Sequence, residues 1–196
     1  MHAIYSPASY PCTVPVSYTH LDVYKRQILC QWAKHLGATV IGVVSSEEKA
    51  ALARENGAAH TVVGYASLAA EVKKITNGAG VPVVYDSVGK DTWSASLDCL
   101  APLGLMVSYG NASGPVAPFD LGILGAKGSL FLTRPTLPTY TAKRSDLEAV
   151  ANDLFSVVAS GAVKIQVNQT FPLKDAAKAH IALEARQTTG STVLIP

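Results

Sequence analysis

Short apolar runs alternate with helical periods from Ile28 to the end of the chain. Thr39–Val44 is a nearly continuous apolar run, which is typical of a strand buried on both faces of a parallel sheet. A helix is expected over Glu47–Asn56, and Gly57 is placed to end it. The same alternation predicts extended segments at 60–63, 82–85, 104–109, 128–133, 164–171 and 191–195, and helices at 68–76, 91–100, 146–160 and 174–186. The pattern therefore indicates an α/β fold, a doubly wound parallel sheet with helices on both faces.

Residues 1–27 do not follow this alternation, since they combine scattered prolines and tyrosines with no sustained period. The stretch 13–27 resembles translated sequencing-adapter read-through, so we expect 1–27 to be a foreign segment and 28–196 to be the folded domain. The alternative is a genuine first strand from residue 13 to 18, with a capped helix running into Ile28. Pro15 argues against that alternative, because proline cannot donate to the ladder of a central strand.

Composition narrows the class of protein. The 196 residues suit one domain with a sizeable core, with 48% hydrophobic and 15% charged residues. The net charge is +2 and the basic residues are scattered, which argues against a nucleic-acid partner. No apolar run approaches the roughly 20 residues that cross a bilayer, and no secretory signal is recognisable. The three cysteines have neither pairing nor metal-ligand spacing, so we expect Cys30 and Cys99 to be buried and the location to be a reducing cytoplasm.

Candidate chemistry lies at the carboxyl ends of the predicted strands, where open parallel sheets bind their ligands. Three strand ends carry polar or glycine residues: 45–46, 86–89 and 109–111. Tyr85 and Trp93 are expected in the core, and Asp86 is expected to be a helix cap rather than a general base. No zinc pattern, paired carboxylates or Ser–His–Asp arrangement is recognisable, so we name no catalytic residue and expect no metal.

The end of the Thr39–Val44 strand is the most informative of these positions. Sites for NAD place a carboxylate there for the ribose hydroxyls, whereas this chain has Ser45, with Lys49 one turn into the next helix. A hydroxyl and an ammonium favour a 2′-phosphate, and therefore NADPH. The alternative is that Ser45 and Glu48 form a capping box and Lys49 is merely solvated. A methyltransferase also needs an acidic residue at this strand end, so Ser45 argues against that class.

The glycine-rich turn of a dinucleotide site is missing from the sequence. Such a turn lets backbone N–H groups meet the pyrophosphate at the start of the first helix. Here the helical stretch from Ile28 is preceded by residues 22–27, which contain no glycine. The first strand and its glycine loop are therefore expected to be missing or substituted. A missing first strand would leave a gap at the centre of the sheet.

Several sequence segments together resemble the bacterial NADPH:quinone oxidoreductases, a zinc-independent branch of the medium-chain dehydrogenases related to ζ-crystallin. The resemblance runs from Ile28 to Pro196 and rests on the segments 85–93, 96–100, 104–114, 127–130, 132–135 and 191–196. It implies a Rossmann domain that binds NADPH and passes a hydride to a quinone or related enone, in a cleft shared with an N-terminal barrel-like domain.

The resemblance also implies roles for particular positions. It places Ser45, Lys49 and Tyr65 in a 2′-phosphate pocket, and Ser87 with Tyr109 and Gly110 near the nicotinamide ribose. Arg186 would help to close the cofactor site, and a homodimer would form through the strand at 128–133. Because the N-terminal domain and the glycine loop are lacking, we expect the chain to bind NADPH weakly or not at all and to be inactive alone. The competing hypothesis is a non-catalytic Rossmann module for nucleotide binding or dimerisation.

Overall fold

The computed structural model describes residues 13–17, 23–185, 187–188 and 190–196, with side chains from residue 27 onward. Its main element is a six-stranded parallel sheet with the strand order β3-β2-β1-β4-β5-β6. The strands are β1 (Thr13–Ser17), β2 (Thr39–Val44), β3 (His60–Val63), β4 (Val81–Asp86), β5 (Leu100–Ser108) and β6 (Phe131–Thr133), and β7 (Val167–Pro172) and β8 (Ser191–Ile195) form a separate parallel pair. The α/β fold and the doubly wound parallel sheet are confirmed.

Helices connect the strands in the order that the sequence predicts. They are α1 (Val23–His35), α2 (Glu47–Glu55), α3 (Leu68–Ile75), α4 (Trp93–Cys99), α5 (Gly122–Ala126), α6 (Leu137–Tyr140), α7 (Arg144–Ala159) and α8 (Ala176–Glu184). The short helices α5 and α6 were not predicted, because four or five residues carry no helical period. A 3-10 turn over Leu173–Asp175 precedes α8. No helix in the described part of the chain is long and apolar enough to span a bilayer.

The centre of the sheet is filled, so the gap that a missing first strand would leave is not present. β1 lies between β2 and β4, with Thr13 beside Thr39 and Ser17 beside Val43. The strand position is thus substituted rather than missing, and α1 begins at Val23, five residues before the predicted domain boundary. The backbone follows the shape of a first strand and helix, while the foreign origin of residues 1–27 stays a prediction. Pro15 pairs with Ile41 in this central strand, and the ladder lacks an N–H donor at that point.

Apolar side chains cover both faces of the sheet. Alternate residues of β2 point to opposite faces, so Ile41 and Val43 belong to one core cluster and Val40 and Val44 to the other. The first cluster packs α3 and α4 against the sheet and includes buried Met106. The second packs α1 and α2 through small residues. Burial on both faces explains why β2 was predicted from its apolar run alone.

The C-terminal part of the chain is much less buried than the sheet. Helix α7 contains no buried residue along its 16 positions, although its pattern predicts an amphipathic helix. Large apolar side chains in this region are exposed, including Phe155 at 66% and Ile181 at 66%. The side-chain amide of Gln31 on α1 binds the segment that follows α7. Its Oε1 accepts from the N–H of Lys164 at 2.7 Å, and its Nε2 donates to the carbonyl of Lys164 at 3.1 Å.

Candidate functional site at the carboxyl edge of the sheet

The end of β2 brings Ser45 and Lys49 together. The Nζ of Lys49 donates a hydrogen bond to the Oγ of Ser45 over 2.9 Å, and the Ser45 side chain is exposed. The N-cap of α2 is Ser46, whose Oγ accepts from the backbone N–H of Lys49. A capping box of Ser45 with Glu48 is therefore wrong. Because Ser46 performs the capping, the Ser45 hydroxyl and the Lys49 ammonium form a separate polar pair beside the helix N-terminus.

Tyr65 lies next to this strand end. The N–H of Gly64 donates to the carbonyl of Val44 over 2.8 Å, which joins the end of β3 to the end of β2. Gly64 has a φ of 82°, a left-handed conformation that favours glycine. The Tyr65 ring is half-buried and packs against the core cluster of Leu68 and Val72. The structure thus brings Tyr65 to the same edge as Ser45, with much of its ring serving as packing.

At the end of β4 the chain turns around the buried carboxylate of Asp86, which is 1% exposed. Its Oδ1 accepts from the N–H groups of Val88 and Gly89 at 2.7 and 3.0 Å. Its Oδ2 accepts from the hydroxyls of Thr92 and Ser96, each at 2.7 Å. The N-cap position of α4 belongs to Thr92, so Asp86 is not the cap that we predicted. It is an internal support of the turn that carries Ser87.

The loop after β5 lies directly against this turn. The N–H groups of Ala112 and Ser113 donate to the carbonyls of Ser87 and Val88 at 3.1 and 2.9 Å. A Cβ at Gly110 would stand 2.8 Å from the Cα of Ser87 and would also collide with its carbonyl oxygen. Glycine is required at 110 because two backbones meet there. The structure therefore brings Ser87 and Gly110 into contact, with Tyr109 next to them and 38% exposed.

Arg134 is a further residue of this edge that was not predicted as part of the site. It directly follows β6, and its Nη1 donates to the carbonyls of Ser108 and Gly110, each at 3.0 Å. Longer bonds reach the Ser108 hydroxyl and the Asn111 side chain. The guanidinium thereby holds the loop after β5 from the neighbouring strand. The feature of the sequence that could have indicated Arg134 is its position, as a basic residue directly after a predicted strand.

The remaining predicted positions are either in the core or outside the residues that the structure describes. Tyr85 and Trp93 are partly buried against the two core clusters, as predicted. Cys30 and Cys99 are buried thiols, also as predicted, and burial together with the nearby Asp98 carboxylate raises the pKa of Cys99 to about 12. Arg186 lies outside the described residues, as do residues 18–22, where the family's glycine turn was expected. Among the side chains that the structure describes, no three His, Cys, Asp or Glu residues are grouped to hold a metal.

Comparison with known proteins settles the family. Residues 27–154 match the sequence profile of the zinc-binding dehydrogenases. The chain belongs to this family. Among its relatives, the quinone oxidoreductase of Pseudomonas aeruginosa is 56% identical over 168 residues, covering 85% of this chain and 52% of the relative. Quinone oxidoreductase 1 of Escherichia coli is 53% identical over 173 residues, covering 86% of this chain and 53% of the relative.

Solved structures of quinone oxidoreductases have the same fold. The Escherichia coli quinone oxidoreductase, solved in complex with NADPH, is 48% identical with a TM-score of 0.83, covering 95% of this chain and 57% of that one. The Pseudomonas syringae quinone oxidoreductase is also 48% identical with a TM-score of 0.83, covering 96% and 58%. The chain spans about half the length of the curated relatives it matches.

Proposed function

We propose that this chain is the NADPH-binding part of an oxidoreductase that transfers a hydride from NADPH to a quinone or a related enone. Three findings support the proposal: the family membership, the similarity to quinone oxidoreductases, and the polar strand ends along one edge of the sheet. When bound, NADPH supplies the hydride, so the protein's work is binding and orientation.

The Ser45–Lys49 pair is the observation that carries the choice of NADPH. The pair is held by a 2.9 Å hydrogen bond at the carboxyl end of β2, where a carboxylate would accept bonds from the ribose hydroxyls of NAD. An ammonium and a hydroxyl donate to a phosphate instead, and the N-terminus of the nine-residue helix α2 beside them also favours an anion. The residues present therefore fit the 2′-phosphate of NADPH. Tyr65 would complete this pocket.

The nicotinamide end would lie along the turn after β4 and the loop after β5. Gly110 lets the loop after β5 pack directly against the backbone of Ser87, and Tyr109 stands at the strand end beside it. We propose that Ser87, Tyr109 and Gly110 hold the nicotinamide ribose and that Arg186 helps to close the site. Their function is to orient the cofactor and exclude water, because hydride transfer needs no protein nucleophile.

The remaining half of the enzyme is proposed to cover the exposed C-terminal region. Helix α7 has no buried residue, and exposed apolar side chains extend over α8 and the β7–β8 pair. A further domain of a longer protein would bury these surfaces and form the second wall of the substrate cleft. Because residues 18–27 contain no glycine, we expect the chain alone to bind NADPH weakly and to reduce no quinone at ordinary enzyme rates.

A homodimer is proposed through β6. This strand is one of the two edges of the six-stranded sheet, and Phe131 on it is 45% exposed. Pairing of two such edges would extend the sheet across two subunits and cover their unpaired backbone groups. The buried thiols of Cys30 and Cys99 fit a reducing compartment, and we propose the cytoplasm as the location.

The test separates the contribution of the 2′-phosphate to binding from that of the rest of the nucleotide. Binding of 2′,5′-ADP and of 5′-AMP to the full chain is measured by titration calorimetry, because the two ligands differ only in the 2′-phosphate. We expect a clear preference for 2′,5′-ADP, since the phosphate gains charge-assisted bonds worth roughly 1.5–3 kcal/mol. Lys49→Met should remove the preference. Lys74→Met is the matched control, because Lys74 is an exposed lysine in the last turn of α3, at the opposite edge of the sheet.

Two results would contradict the proposal. Equal affinity of the parent chain for the two ligands would show that Ser45 and Lys49 form no phosphate pocket. A preference that Lys49→Met leaves intact would place the phosphate elsewhere. A parallel titration with NADPH and NADH extends the measurement to the intact cofactors, and NADPH-dependent quinone reduction by the purified chain would overturn the expectation that it is inactive alone.

A further inference from the structure

The carboxylate of Asp86 is the most completely bonded side chain at the candidate site. It is 1% exposed and accepts four hydrogen bonds, two from backbone N–H groups in the turn and two from hydroxyls on α4. Its hydroxyl partners Thr92 and Ser96 are buried at 0% and 1% exposure. A carboxylate offers about four lone-pair positions, and all of them are used here. Asp86 is therefore not placed to take a proton from a substrate.

The turn that Asp86 supports also supports the neighbouring loop. The carbonyls of Ser87 and Val88 accept the N–H groups of Ala112 and Ser113, and the hydroxyl of Ser113 donates to the carbonyl of Val88 at 2.9 Å. The N–H of Lys90 donates in turn to the carbonyl of Gly114 at 3.1 Å. None of these bonds includes the Asp86 side chain, so its influence on the second loop is indirect.

We propose that Asp86 is a positioning residue: its buried carboxylate fixes the Ser87 turn, and through that turn it sets the loop 109–114 that would face the nicotinamide half of the cofactor. A fixed turn matters here because Ser87 and Gly110 are in backbone contact, so a displacement of one loop displaces the other. The role at the nicotinamide end rests on the proposed function. The coupling between the two loops does not.

The coupling is tested on the ligand-free chain by amide hydrogen exchange. Asp86→Asn keeps the volume of the side chain but removes its charge and one of its two acceptor oxygens. We expect the amides of Val88 and Gly89 to exchange faster. The amides of Ala112 and Ser113 should also exchange about tenfold faster, which corresponds to about 1.4 kcal/mol of lost protection. Amides of β2 should be unchanged. Asp153→Asn, the same charge change on the exposed face of α7, is the matched control.

Ser96→Ala is the milder second variant, because it deletes one donor to Asp86 and leaves the carboxylate in place. If Asp86→Asn does not fold, the same pattern of exchange in Ser96→Ala still decides the matter. Faster exchange confined to residues 88 and 89 in a folded variant would overturn the proposed coupling. Faster exchange throughout the sheet in Ser96→Ala would also overturn it, because it would make Asp86 a general support of the fold.

Binding then separates positioning from the proposed function itself. Asp86→Asn should weaken NADPH binding by about tenfold, or about 1.4 kcal/mol, and leave 2′,5′-ADP binding unchanged, because that ligand lacks the nicotinamide half. An equal loss for both ligands would refute a role at the nicotinamide end. If the parent chain binds neither ligand, the proposed function fails, and the exchange experiment still decides the coupling of the loops.

Discussion

Replacement of Gly110 by alanine tests the closest backbone contact of the candidate site. The new Cβ would lie 2.8 Å from the Cα of Ser87 and 2.9 Å from its carbonyl carbon. Carbon atoms in contact are ordinarily about 3.5–4.0 Å apart, so the overlap is about 0.7 Å or more. The obstructing atoms are backbone, and they cannot move aside by a change of rotamer. One of the two loops must therefore shift.

The magnitude follows from what the shift would break. Forced overpacking costs about 1–3 kcal/mol of unfolding free energy. Displacement of the loop also strains the bonds from Ala112 to Ser87 and from Arg134 to the carbonyl of residue 110. For a chain of this size each kcal/mol lowers Tm by roughly 2–4 °C, so Gly110→Ala is expected to melt about 2–12 °C below the parent.

Urea unfolding followed by tryptophan fluorescence measures the effect, with Gly125→Ala as the matched control. Gly125 lies in α5, and a methyl group added there would have no atom within 4 Å, so alanine should leave stability unchanged or raise it slightly. Equal urea midpoints for Gly110→Ala and the parent would refute the argument. The loops would then have enough freedom to accept a side chain at their contact.

Three further predictions concern the core, a turn and a thiol. Met106 in β5 is 0% exposed, so Met106→Ala should leave a cavity and lower the free energy of unfolding, measured with urea, by about 2–5 kcal/mol. A loss below about 1 kcal/mol would contradict the packing described. Thr76→Val should cost about 1 kcal/mol by the same measurement, because the Thr76 hydroxyl donates to the carbonyl of Val72 at 2.8 Å and accepts the N–H of Gly80 at 3.0 Å; an unchanged midpoint would show that these bonds add nothing. In the folded chain the pKa of Cys99 is raised to about 12, against an ordinary value of 9.0, so the unfolded chain loses this proton at lower pH. The stability that the buried thiol contributes is therefore present below pH 9 and is lost as pH rises towards 12. Cys99→Ser should therefore flatten the loss of stability above pH 9, and rapid labelling of native Cys99 by a thiol reagent at pH 8 would contradict its burial.

The sheet was predictable where burial on both faces leaves a continuous apolar run. The bounds of β2 agree with the prediction for this reason. Those of β3 and β8 also agree, although these two strands are more exposed. A strand at Thr13–Ser17 was the alternative that we disfavoured, because Pro15 is poorly suited to a central strand. The segment nevertheless pairs with β2 and β4. Local propensity is a weak guide when tertiary pairing decides.

The candidate site was predictable as a set of strand ends but not as a set of contacts. Two adjacent serines are equally good caps in sequence, and the choice depends on the extended backbone of Ser46, with φ −155° and ψ 161°. The bonds from Asp86 to Ser96 and from Arg134 to Gly110 join residues 10 and 24 positions apart. No periodicity encodes such pairs, so side chains that support a site from a distance become visible only in the folded chain.

The weak burial of the C-terminal region has a consequence for how the molecule opens. The β7–β8 pair has only two strands, and such a pair contributes little stability by itself. The region from Lys164 onward is therefore expected to unfold locally while the six-stranded sheet stays intact, so the chain has two cooperative units rather than one. A protease would reach the exposed lysines 174 and 178 in the partly open form and trim the C-terminus long before it degrades the sheet. The lifetime of the intact polypeptide in a cell extract would then depend on its smaller, less stable unit.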